Sequence, residues 1–309
     1  MLNQRALAYL NEVARRGSLR RAAAALDVDA SAVSRQIKAL EAEVGVPLCE
    51  RQGGGMQATE AGRLLIRHFH AQRSAEEAVL SEVAALENLA RGEVRIAVGE
   101  GFIGDLIAAP LDAFMSGFPG VHLDVRMAGF NEAVSLLKEM EVDLALLYAP
   151  PVDPQLRCHV ETRQPLDLIV PPEHPLAALA RPVELHDLAQ WPLALMDNPF
   201  GMRQMVNMVA HQERLHLDAR LHTNSVAVLK NFVRSGIGVT FMPELTVADE
   251  IARGEIRALP MAYPIMNDAR AQIVSLEGRD LTVAATTCAE YLRKGMRFFQ
   301  NDAPRLQGV

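Results

Sequence analysis

The sequence predicts an α/β protein in three successive parts: a helical head ending in a hairpin, one long helix, and a larger body of alternating strands and helices. Three observations predict this arrangement. Apolar residues recur at helical spacing up to about residue 44. Three consecutive glycines then separate two short extended stretches. From Glu93 onward strand and helix patterns alternate. The length of 309 residues fits about two domains.

The head is predicted to contain three helices. The first covers residues 3–16, where Leu7, Leu10 and Ala14 share one face, and Gly17 ends it. Ser18 is a good N-cap for the second helix, and Asp29 can cap the third. The apolar stripe of the third helix is formed by Val33, Ile37, Leu40 and Val44.

The opposite stripe of the third helix carries the side chains Ser31, Ser34, Arg35 and Lys38. Short hydroxyls let a backbone approach base edges, arginine can fork onto guanine, and lysine can meet phosphate. A solvated polar face is the ordinary alternative for such a stripe. Two short helices at helix-turn-helix spacing, with the stripe on the second, favour DNA binding.

A hairpin is predicted directly after these helices. Gly53, Gly54 and Gly55 lie between short extended stretches, which is typical of a hairpin tip. A hairpin in this position is a wing, and Arg51 at its base can reach flanking phosphates or the minor groove. We therefore assign residues 1–60 to a winged helix-turn-helix DNA-binding domain.

A long helix is predicted from Thr59 to about Ala90, and we assign residues 61–90 to a linker and dimerisation helix. Apolar residues recur about every 3.5 residues along one side of this helix, which suggests a coiled-coil-like seam with a second chain. A connecting helix packed on its own domain is the alternative, since Gln72 and Glu76 fit the seam poorly. The seam residues are Leu65, Val79, Val83, Leu86 and Ala90.

The body, residues 91–309, alternates strands and helices, which implies parallel sheets with right-handed crossovers. Strands are predicted at residues 94–98, 121–127 and 142–148. The stretch 226–242 repeats the pattern as a helix, then Gly236 and Gly238, then a strand ending at Pro243.

Charge is distributed unevenly along the chain, whose formal net charge is −7. Residues 1–67 hold 10 Lys/Arg against 7 Asp/Glu, a local +3, so the remaining 21 against 31 give −10. A basic head on an acidic body can present one face to phosphate. No apolar run is long enough to span a bilayer, and the charged N-terminus lacks the core of a signal peptide. We expect a cytoplasmic protein without membrane contact.

The head resembles the DNA-binding domain of the LysR-type transcriptional regulators. The resemblance is carried by Gly17-Ser18, Ala22-Ala23, Ala32–Ile37, Leu40-Glu41, Gly45–Leu48, Glu50-Arg51 and Thr59–Gly62. Two residues depart from the family pattern. Ala30 stands where a base-contacting glutamine is common, and Cys49 stands where phenylalanine is usual. The predicted DNA-contacting residues are Ser18, Arg20, Arg21, Ser31, Ser34, Arg35, Lys38 and Arg51.

The body resembles the sensor domain of the same family. The matching motifs are Phe118–Val121, Val142–Ala145, His174–Leu176, Gly236–Val239 and Pro243. The resemblance implies two periplasmic-binding-protein-like α/β subdomains with an effector between them. We place the crossings near 162–165 and 263–268. Subdomain I is then 91–162 plus 266–300, and subdomain II is 163–265.

The effector site is predicted at the carboxyl ends of strands, where helix N-termini converge. Several aromatic residues fall in these loops, and a flat or aromatic effector would stack on them. A carboxylate remains among the candidate classes, although Glu100 prefers a donor such as an amine or indole N–H. Buried hinge packing is the alternative role for each aromatic residue. The predicted site residues are Glu100, Gly101, Phe102, Ile103, Gly129, Phe130, Tyr148, Asn198, Phe200, Gly201, Thr223, Asn224, Ser225 and Phe241.

Other classes of protein fit the sequence less well. It has no HExxH, GxSxG or P-loop motif, and His68 and His70 point apart on a helix, so we predict neither catalytic nor metal-ligating residues and no cofactor. A thiol redox switch would need Cys158 and Cys288 to meet, whereas inert buried thiols are the simpler expectation. A transport-type solute-binding protein would share the sensor fold, but the DNA reader argues against it.

The predicted partners follow from this interpretation. They are double-stranded operator DNA, a small-molecule effector, a second copy of the chain in a dimer or a dimer of dimers (a homotetramer), and RNA polymerase if the protein is an activator. The expected mechanism is a population shift, in which the effector changes the angle between the sensor subdomains.

Overall fold

A computed structural model describes residues 2–52, 55–86, 91–108, 110–197 and 201–300. The chain forms two compact units, Met1–Leu80 with Lys138–Glu141, and Ser81–Leu137 with Val142–Val309. The predicted hairpin tip at Gly53 and Gly54, the linker residues 87–90, and the predicted site residues Asn198 and Phe200 lie outside the described residues.

The N-terminal unit begins with three helices and a two-stranded antiparallel hairpin, which confirms the winged helix-turn-helix. The Asn3 side chain accepts hydrogen bonds from the first turn of α1, and Gly17 at φ +64° ends that helix. Ser18 caps α2, as predicted. Asp29 occupies the N-cap position of α3, as predicted, but its side chain makes no capping hydrogen bond with the described backbone. The elements are α1 (Gln4–Arg16), α2 (Leu19–Ala25), α3 (Ala30–Val44), β1 (Cys49–Gln52) and β2 (Gly55–Ala58).

Two sets of hydrogen bonds fix the wing to the helices. The Met56 N–H donates to the Gly17 carbonyl at 2.9 Å, which ties β2 to the turn between α1 and α2. The Glu41 carboxylate on α3 accepts the Leu48 N–H at 2.8 Å and the Cys49 N–H at 3.4 Å. The wing therefore has a defined position relative to α3 and to the turn between α1 and α2.

A long helix, α4 (Glu60–Leu86), follows the wing. Thr59 accepts the Gly62 N–H at 3.0 Å and donates to the Pro47 carbonyl at 2.9 Å, so it caps α4 and holds the base of the wing. A Cβ on Gly62 would lie 2.1 Å from the Leu48 carbonyl oxygen. Glycine is therefore required where the start of α4 crosses the entry to β1.

The seam predicted on α4 with a second chain stays a prediction, and the structure gives the surroundings of its residues. Leu65 is half-buried against the core of the N-terminal unit, formed by Leu7, Leu40 and Leu48, which favours for this residue the alternative of a helix packed on its own domain. Val79 and Val83, one helical turn apart, are 60% and 55% exposed. Ala90 and the side chain of Leu86 lie outside the described part of the chain.

The second unit contains ten strands and eight helices among its described residues, together with short 3-10 turns. In chain order they are β3 (Arg91–Val98), α5 (Ile103–Ala108), α6 (Pro110–Gly117), β4 (Gly120–Met127), α7 (Phe130–Lys138), β5 (Leu144–Tyr148), β6 (Leu156–Arg163), β7 (Leu166–Val170), β8 (Leu193–Met196), α8 (Gly201–Gln212), β9 (Ala219–Thr223), α9 (Val226–Arg234), β10 (Thr240–Pro243), α10 (Ala248–Ala252), β11 (Arg257–Leu259), α11 (Pro264–Asn267), β12 (Arg270–Leu276) and α12 (Val283–Gly295).

These strands form two subdomains. Subdomain I has a five-stranded sheet in the order β4-β3-β5-β12-β6, and subdomain II contains the sheet β10-β7-β11 and the pair β8-β9. The prediction of parallel sheets holds for β3 with β4 and β5 and for β8 with β9. It is wrong for β12 beside β5 and β6, and for β7 beside β10 and β11, which pair antiparallel. Parallel neighbours follow a crossover helix, whereas β7, β11 and β12 are reached through turns and short helices.

The chain passes twice between the two subdomains. It leaves the first sheet after Arg163 at the end of β6 and returns to it at Arg270, the start of β12. Gln164 lies in the first passage, where its carbonyl accepts the Tyr148 hydroxyl at 2.9 Å and its side-chain amide donates to the Phe298 carbonyl at 2.9 Å. Two hydrogen bonds to residues of subdomain I therefore hold this passage in place.

A buried ion cluster ties the first sheet to the loop that follows it. Asp143 is 3% exposed. Its carboxylate accepts the Arg95 backbone N–H at 2.7 Å and the Arg95 guanidinium at 3.0 Å, and it also pairs with the guanidinium of Arg279. Arg279 further donates to the Val142 carbonyl at 2.7 Å. The Val142–Ala145 motif therefore places one carboxylate where it balances two largely buried arginines.

Candidate functional site

Helix α3 presents the polar stripe that the sequence singles out. Ser31, Arg35 and Lys38 are exposed, whereas Ser34 is half-buried. The opposite face of α3 buries Val33, Ile37 and Leu40. The exposed stripe therefore points away from the core of the N-terminal unit.

Further cations lie on α2 and on the wing. Arg20 and Arg21 on α2 and Arg51 on β1 are exposed, and Ser18 is half-buried with its hydroxyl accepting the Arg21 N–H at 3.5 Å. Within the described residues, the side chains of Arg20, Arg21, Arg35, Lys38 and Arg51 have no ion-pair or hydrogen-bond partner. This set is called the cationic face below.

Other arginines of the same unit are already neutralised by the chain. Glu12 pairs with Arg15 at 2.8 Å and also with Arg16, and Arg73 pairs with Glu77 at 3.1 Å. The hydrogen bond from Arg15 lowers the pKa of Glu12 despite its burial. The cationic face thus differs from these arginines in having charges free for an external anion.

A cleft opens between the subdomains of the second unit and encloses about 540 Å³, counting its solvent-open mouth. It lies where the strands β3, β4, β5, β8 and β10 end, as expected for a ligand site in an α/β fold. Its lining is largely apolar. The lining residues are Gly99, Glu100, Gly101, Phe102, Ala128, Phe130, Leu146, Leu147, Tyr148, Met196, Gly201, Met202, Val226, Pro243, Thr246 and Phe298.

The structure brings six of the predicted effector residues to this cleft: Glu100, Gly101, Phe102, Phe130, Tyr148 and Gly201. Ile103, Gly129, Thr223, Asn224 and Ser225 are not part of the lining. The prediction that Phe241 lines the effector site is wrong. It is 2% exposed and packs in the core of subdomain II with Leu168 and Val239, because strand alternation turns residues 239 and 241 to the same buried face.

Sequence reasoning missed several lining residues. Met196 and Pro243 end strands β8 and β10, so the rule that selected the loops could have found them. Met202, Val226 and Thr246 belong to helical elements that follow strands β8, β9 and β10, respectively. Phe298 lies near the end of the described chain, and no local pattern in the sequence indicates that it returns to the cleft.

Glu100 bridges the two subdomains. It lies in a 3-10 turn after β3, and its carboxylate accepts hydrogen bonds from the N-terminus of α9. The donors are the Val226 N–H at 2.6 Å, the Ala227 N–H at 3.1 Å and the Ser225 hydroxyl at 3.1 Å. The sequence predicts that Glu100 faces a donor on the effector; in the structure its donors belong to the protein itself.

The aromatic side chains of the cleft also have structural roles. The Phe102 ring lies 4.7 Å from the Phe298 ring and 6.1 Å from that of Phe299, measured between centroids. The Tyr148 hydroxyl is held by Gln164, and burial raises the pKa of Tyr148 well above its ordinary value. Phe130 is half-buried beside the cleft, which leaves it more accessible than Phe102 at 3% exposed.

Two family models match the chain. The bacterial regulatory helix-turn-helix protein family, lysR type, matches residues 4–63, and the LysR substrate binding domain matches residues 87–297. The second match alone covers more than half of the chain. This chain belongs to the LysR family. The LysR-type regulator therefore combines a DNA-binding helix-turn-helix with an effector-binding domain, and the curated proteins that resemble it are transcriptional regulators.

Known proteins resemble this LysR-type regulator along its length. The HTH-type transcriptional regulator CbbR of Rhodospirillum rubrum is 26% identical over 297 residues, covering 95% of this chain and 96% of that protein. A full-length OxyR variant from Pseudomonas aeruginosa superimposes with a TM-score of 0.74 at 19% identity, covering 98% and 99% of the two chains. The regulatory domain of CcmR from Synechocystis, in complex with 2-PG, gives a TM-score of 0.60 at 23% identity, covering 69% of this chain and 100% of that domain.

The cysteines of this LysR-type regulator lie in three environments. Cys288 is buried, as expected, and burial raises its pKa to about 12. Cys49 is half-buried with a pKa raised to about 11, mainly by burial. The expectation of burial is wrong for Cys158, which is exposed at the edge strand β6, yet partial desolvation and Glu161 raise its pKa as well. These shifts lower the thiolate fraction that oxidation requires.

Two features are absent from the described part of the chain. Within it no helix has the length and apolar character needed to cross a membrane. The same residues contain no group of three or more His, Cys, Asp and Glu side chains placed to hold a metal ion.

Proposed function

We propose that this LysR-type regulator binds double-stranded operator DNA with α2, α3 and the wing, under the control of a small molecule in the sensor cleft. The observation that carries the proposal is the cationic face, whose five side chains are exposed and unpaired among the described residues. In the DNA complex these charges would replace counterions along the phosphate backbone.

The side chains of the cationic face have different roles in this proposal. Arg35 lies in the N-terminal half of α3, beside Ser31 and Ser34, and forks onto a base edge in the major groove. Lys38, one turn later, meets a phosphate. Arg20, Arg21 and Arg51 contact the backbone on either side, with Ser18 at the start of α2.

Replacing Arg35 by alanine is expected to weaken binding to the preferred operator by about 1–3 kcal/mol and to relax specificity at one base pair. Replacing Lys38 by alanine should weaken binding to all DNA sequences by the same factor. It should also reduce the slope of log K against log salt concentration by about one. Binding of a randomised operator library at several salt concentrations measures both effects.

The control variant is Arg15→Ala, whose guanidinium is already paired with Glu12. It should leave both specificity and salt slope close to those of the unaltered protein. If Lys38→Ala changed sequence preference while the slope stayed constant, the roles of Arg35 and Lys38 would be reversed.

The proposed effector is a small aromatic compound, and the sequence leaves a carboxylate among the candidate classes. Support comes from the lining, where Phe102, Phe130, Tyr148 and Phe298 surround an apolar space. The regulatory domain of CcmR shares this fold and was solved with 2-PG, so a small molecule is a reasonable occupant here. Binding would act by a population shift that changes the angle between subdomains I and II.

A thiol redox sensor has no specific observation in its favour. Cys288 is buried and the pKa of each thiol is raised rather than lowered. Reactive sensor cysteines have lowered pKa values and accessible sulfurs. The resemblance to OxyR concerns the fold at 19% identity.

A second copy of the chain is the proposed partner of α4, in a dimer or a dimer of dimers, and RNA polymerase is a further partner if the protein is an activator. Replacing Val79 and Val83 together by aspartate should shift the protein toward smaller species in light scattering, since both are exposed apolar residues on one face. Val152→Asp is the control, because Val152 is an equally apolar and fully exposed residue that lies outside α4, between β5 and β6. A shift of the same size for Val152→Asp would contradict the seam on α4.

The proposed domain limits are 1–60 for the DNA-binding domain, 61–90 for the linker helix, and 91–309 for the sensor. Within the sensor, subdomain I comprises 91–162 and 266–300, and subdomain II comprises 163–265. The end of β6 at Arg163 and the start of β12 at Arg270 support these limits.

A further inference from the structure

The N-terminus of α9 is an anion-binding position that the chain itself fills. This helix has nine residues, and its first N–H groups point at the Glu100 carboxylate from the opposite subdomain. Free N–H groups and the helix dipole together favour a negative charge at such a position. Ser225 precedes the helix, and its hydroxyl donates to Glu100 instead of capping α9.

The other side chains of the cleft offer little to a second anion. Among the described lining residues there is no Lys, Arg or His. The Tyr148 hydroxyl donates its proton to the Gln164 carbonyl, so it is not free to donate to a ligand. Thr246, which is 8% exposed, is the other lining side chain with a hydroxyl.

We propose that Glu100 is the built-in carboxylate of the cleft and that the effector is therefore an uncharged, mainly apolar molecule. This inference rests on the proposed function and narrows its effector class by removing carboxylates. An anionic ligand in the cleft would meet the charge of Glu100 without a balancing cation, and it would lose its hydration on entry. A neutral aromatic molecule has neither cost and gains contact with Phe130, Met196 and Met202.

Glu100 also binds the α9 N-terminus more favourably than a free carboxylate would. It is covalently attached beside the α9 N-terminus, so its binding there is intramolecular and needs no loss of translational freedom. A free carboxylate at ordinary concentrations does not displace it. The same contact joins subdomain I to subdomain II, so an anion can bind the α9 N-terminus only when that bridge is removed.

The test is chemical rescue of the full-length protein by acetate. Glu100→Ala should lower the melting temperature of the sensor by about 2–4 °C, the range expected for losing a capping carboxylate. Sodium acetate should then raise the melting temperature of Glu100→Ala in a saturable way, relative to sodium chloride at the same ionic strength. The unaltered protein should show no acetate-specific rise.

Two further variants separate charge from shape and position. Glu100→Gln keeps the volume and one acceptor, so its melting temperature should lie between those of the unaltered protein and Glu100→Ala. Asp112→Ala removes an exposed acid from the first turn of α6, outside the cleft lining, and should respond to acetate as the unaltered protein does.

Each outcome supports or overturns the proposal. An acetate-specific rise in the unaltered protein equal to that in Glu100→Ala would overturn it, because the anion position would then be open. A Glu100→Ala variant without any acetate response, or a Glu100→Gln variant as stable as the unaltered protein, would overturn it as well. Failure of the proposed function would appear separately, as DNA binding that ignores Arg35 and Lys38, and would leave the acetate response unchanged.

Discussion

Replacing Asp143 by alanine is expected to lower the free energy of unfolding of the sensor by about 3–5 kcal/mol. The carboxylate is 3% exposed and serves two guanidinium groups, those of Arg95 and Arg279, whose side chains are 17% and 6% exposed. Removing it leaves two like charges close together in a poorly solvated place. It also removes the acceptor of the Arg95 backbone N–H, at 2.7 Å, where β3 lies beside β5.

Denaturant titration of the full-length protein, followed by the sensor transition, measures this loss. Asp143→Asn retains the shape and one acceptor oxygen, and should lose less than Asp143→Ala. Asp268→Ala is the surface control, since Asp268 is 64% exposed in its pair with Arg270, and such pairs contribute about 0–1 kcal/mol. A loss for Asp143→Ala no larger than that of this surface control would mean that water reaches the two arginines.

Replacing Gly201 by alanine is expected to cost the sensor about 3 kcal/mol, at the upper end for an overpacked site. A Cβ on Gly201 would lie 2.1 Å from the Tyr148 carbonyl oxygen and 3.3 Å from that of Ala149. Both obstacles are backbone atoms, so no side-chain rotation can relieve them. The start of α8 must move away from the end of β5, and the cleft widens at that point.

Gly104→Ala is the matched control for this substitution. Gly104 lies within α5, its φ is not positive, and a Cβ added there would have no atom of the described residues within 4 Å beyond its own helix. Alanine there should raise stability by up to about 1 kcal/mol through helix propensity. Thermal melting should therefore show a lowered melting temperature for Gly201→Ala and a raised one for Gly104→Ala. If Gly201→Ala had the same melting temperature as Gly104→Ala, α8 could move away from β5 without loss of stability.

The sequence predicts the local elements well where one periodic pattern decides them. The helical spacing of Val33, Ile37 and Leu40 and the glycines at the hairpin define the winged helix-turn-helix without knowledge of distant contacts. The parallel or antiparallel direction of the strands in the second unit is harder to predict from the sequence. It depends on whether a crossover helix or a turn precedes each strand, and β7, β11 and β12 carry no local sign of their neighbours.

The cleft is predictable to the extent that strand ends define it. Glu100 and Phe130 follow from that rule, whereas Phe241 fails because the rule uses nearness to a strand end and ignores strand alternation within β10. Phe298 and the partners of Glu100 depend on contacts across more than one hundred residues, which spacing along the chain does not encode.

The close approach at Gly62 has a mechanical consequence. The first turn of α4 lies against the Leu48 carbonyl, Thr59 bonds to Pro47, and Leu48 is bonded in turn to Glu41 on α3. These contacts hold the first turns of α4, the base of the wing and α3 in fixed positions relative to one another. The three therefore move as one rigid group. A rotation of the first turns of α4 turns the wing and α3 by the same angle.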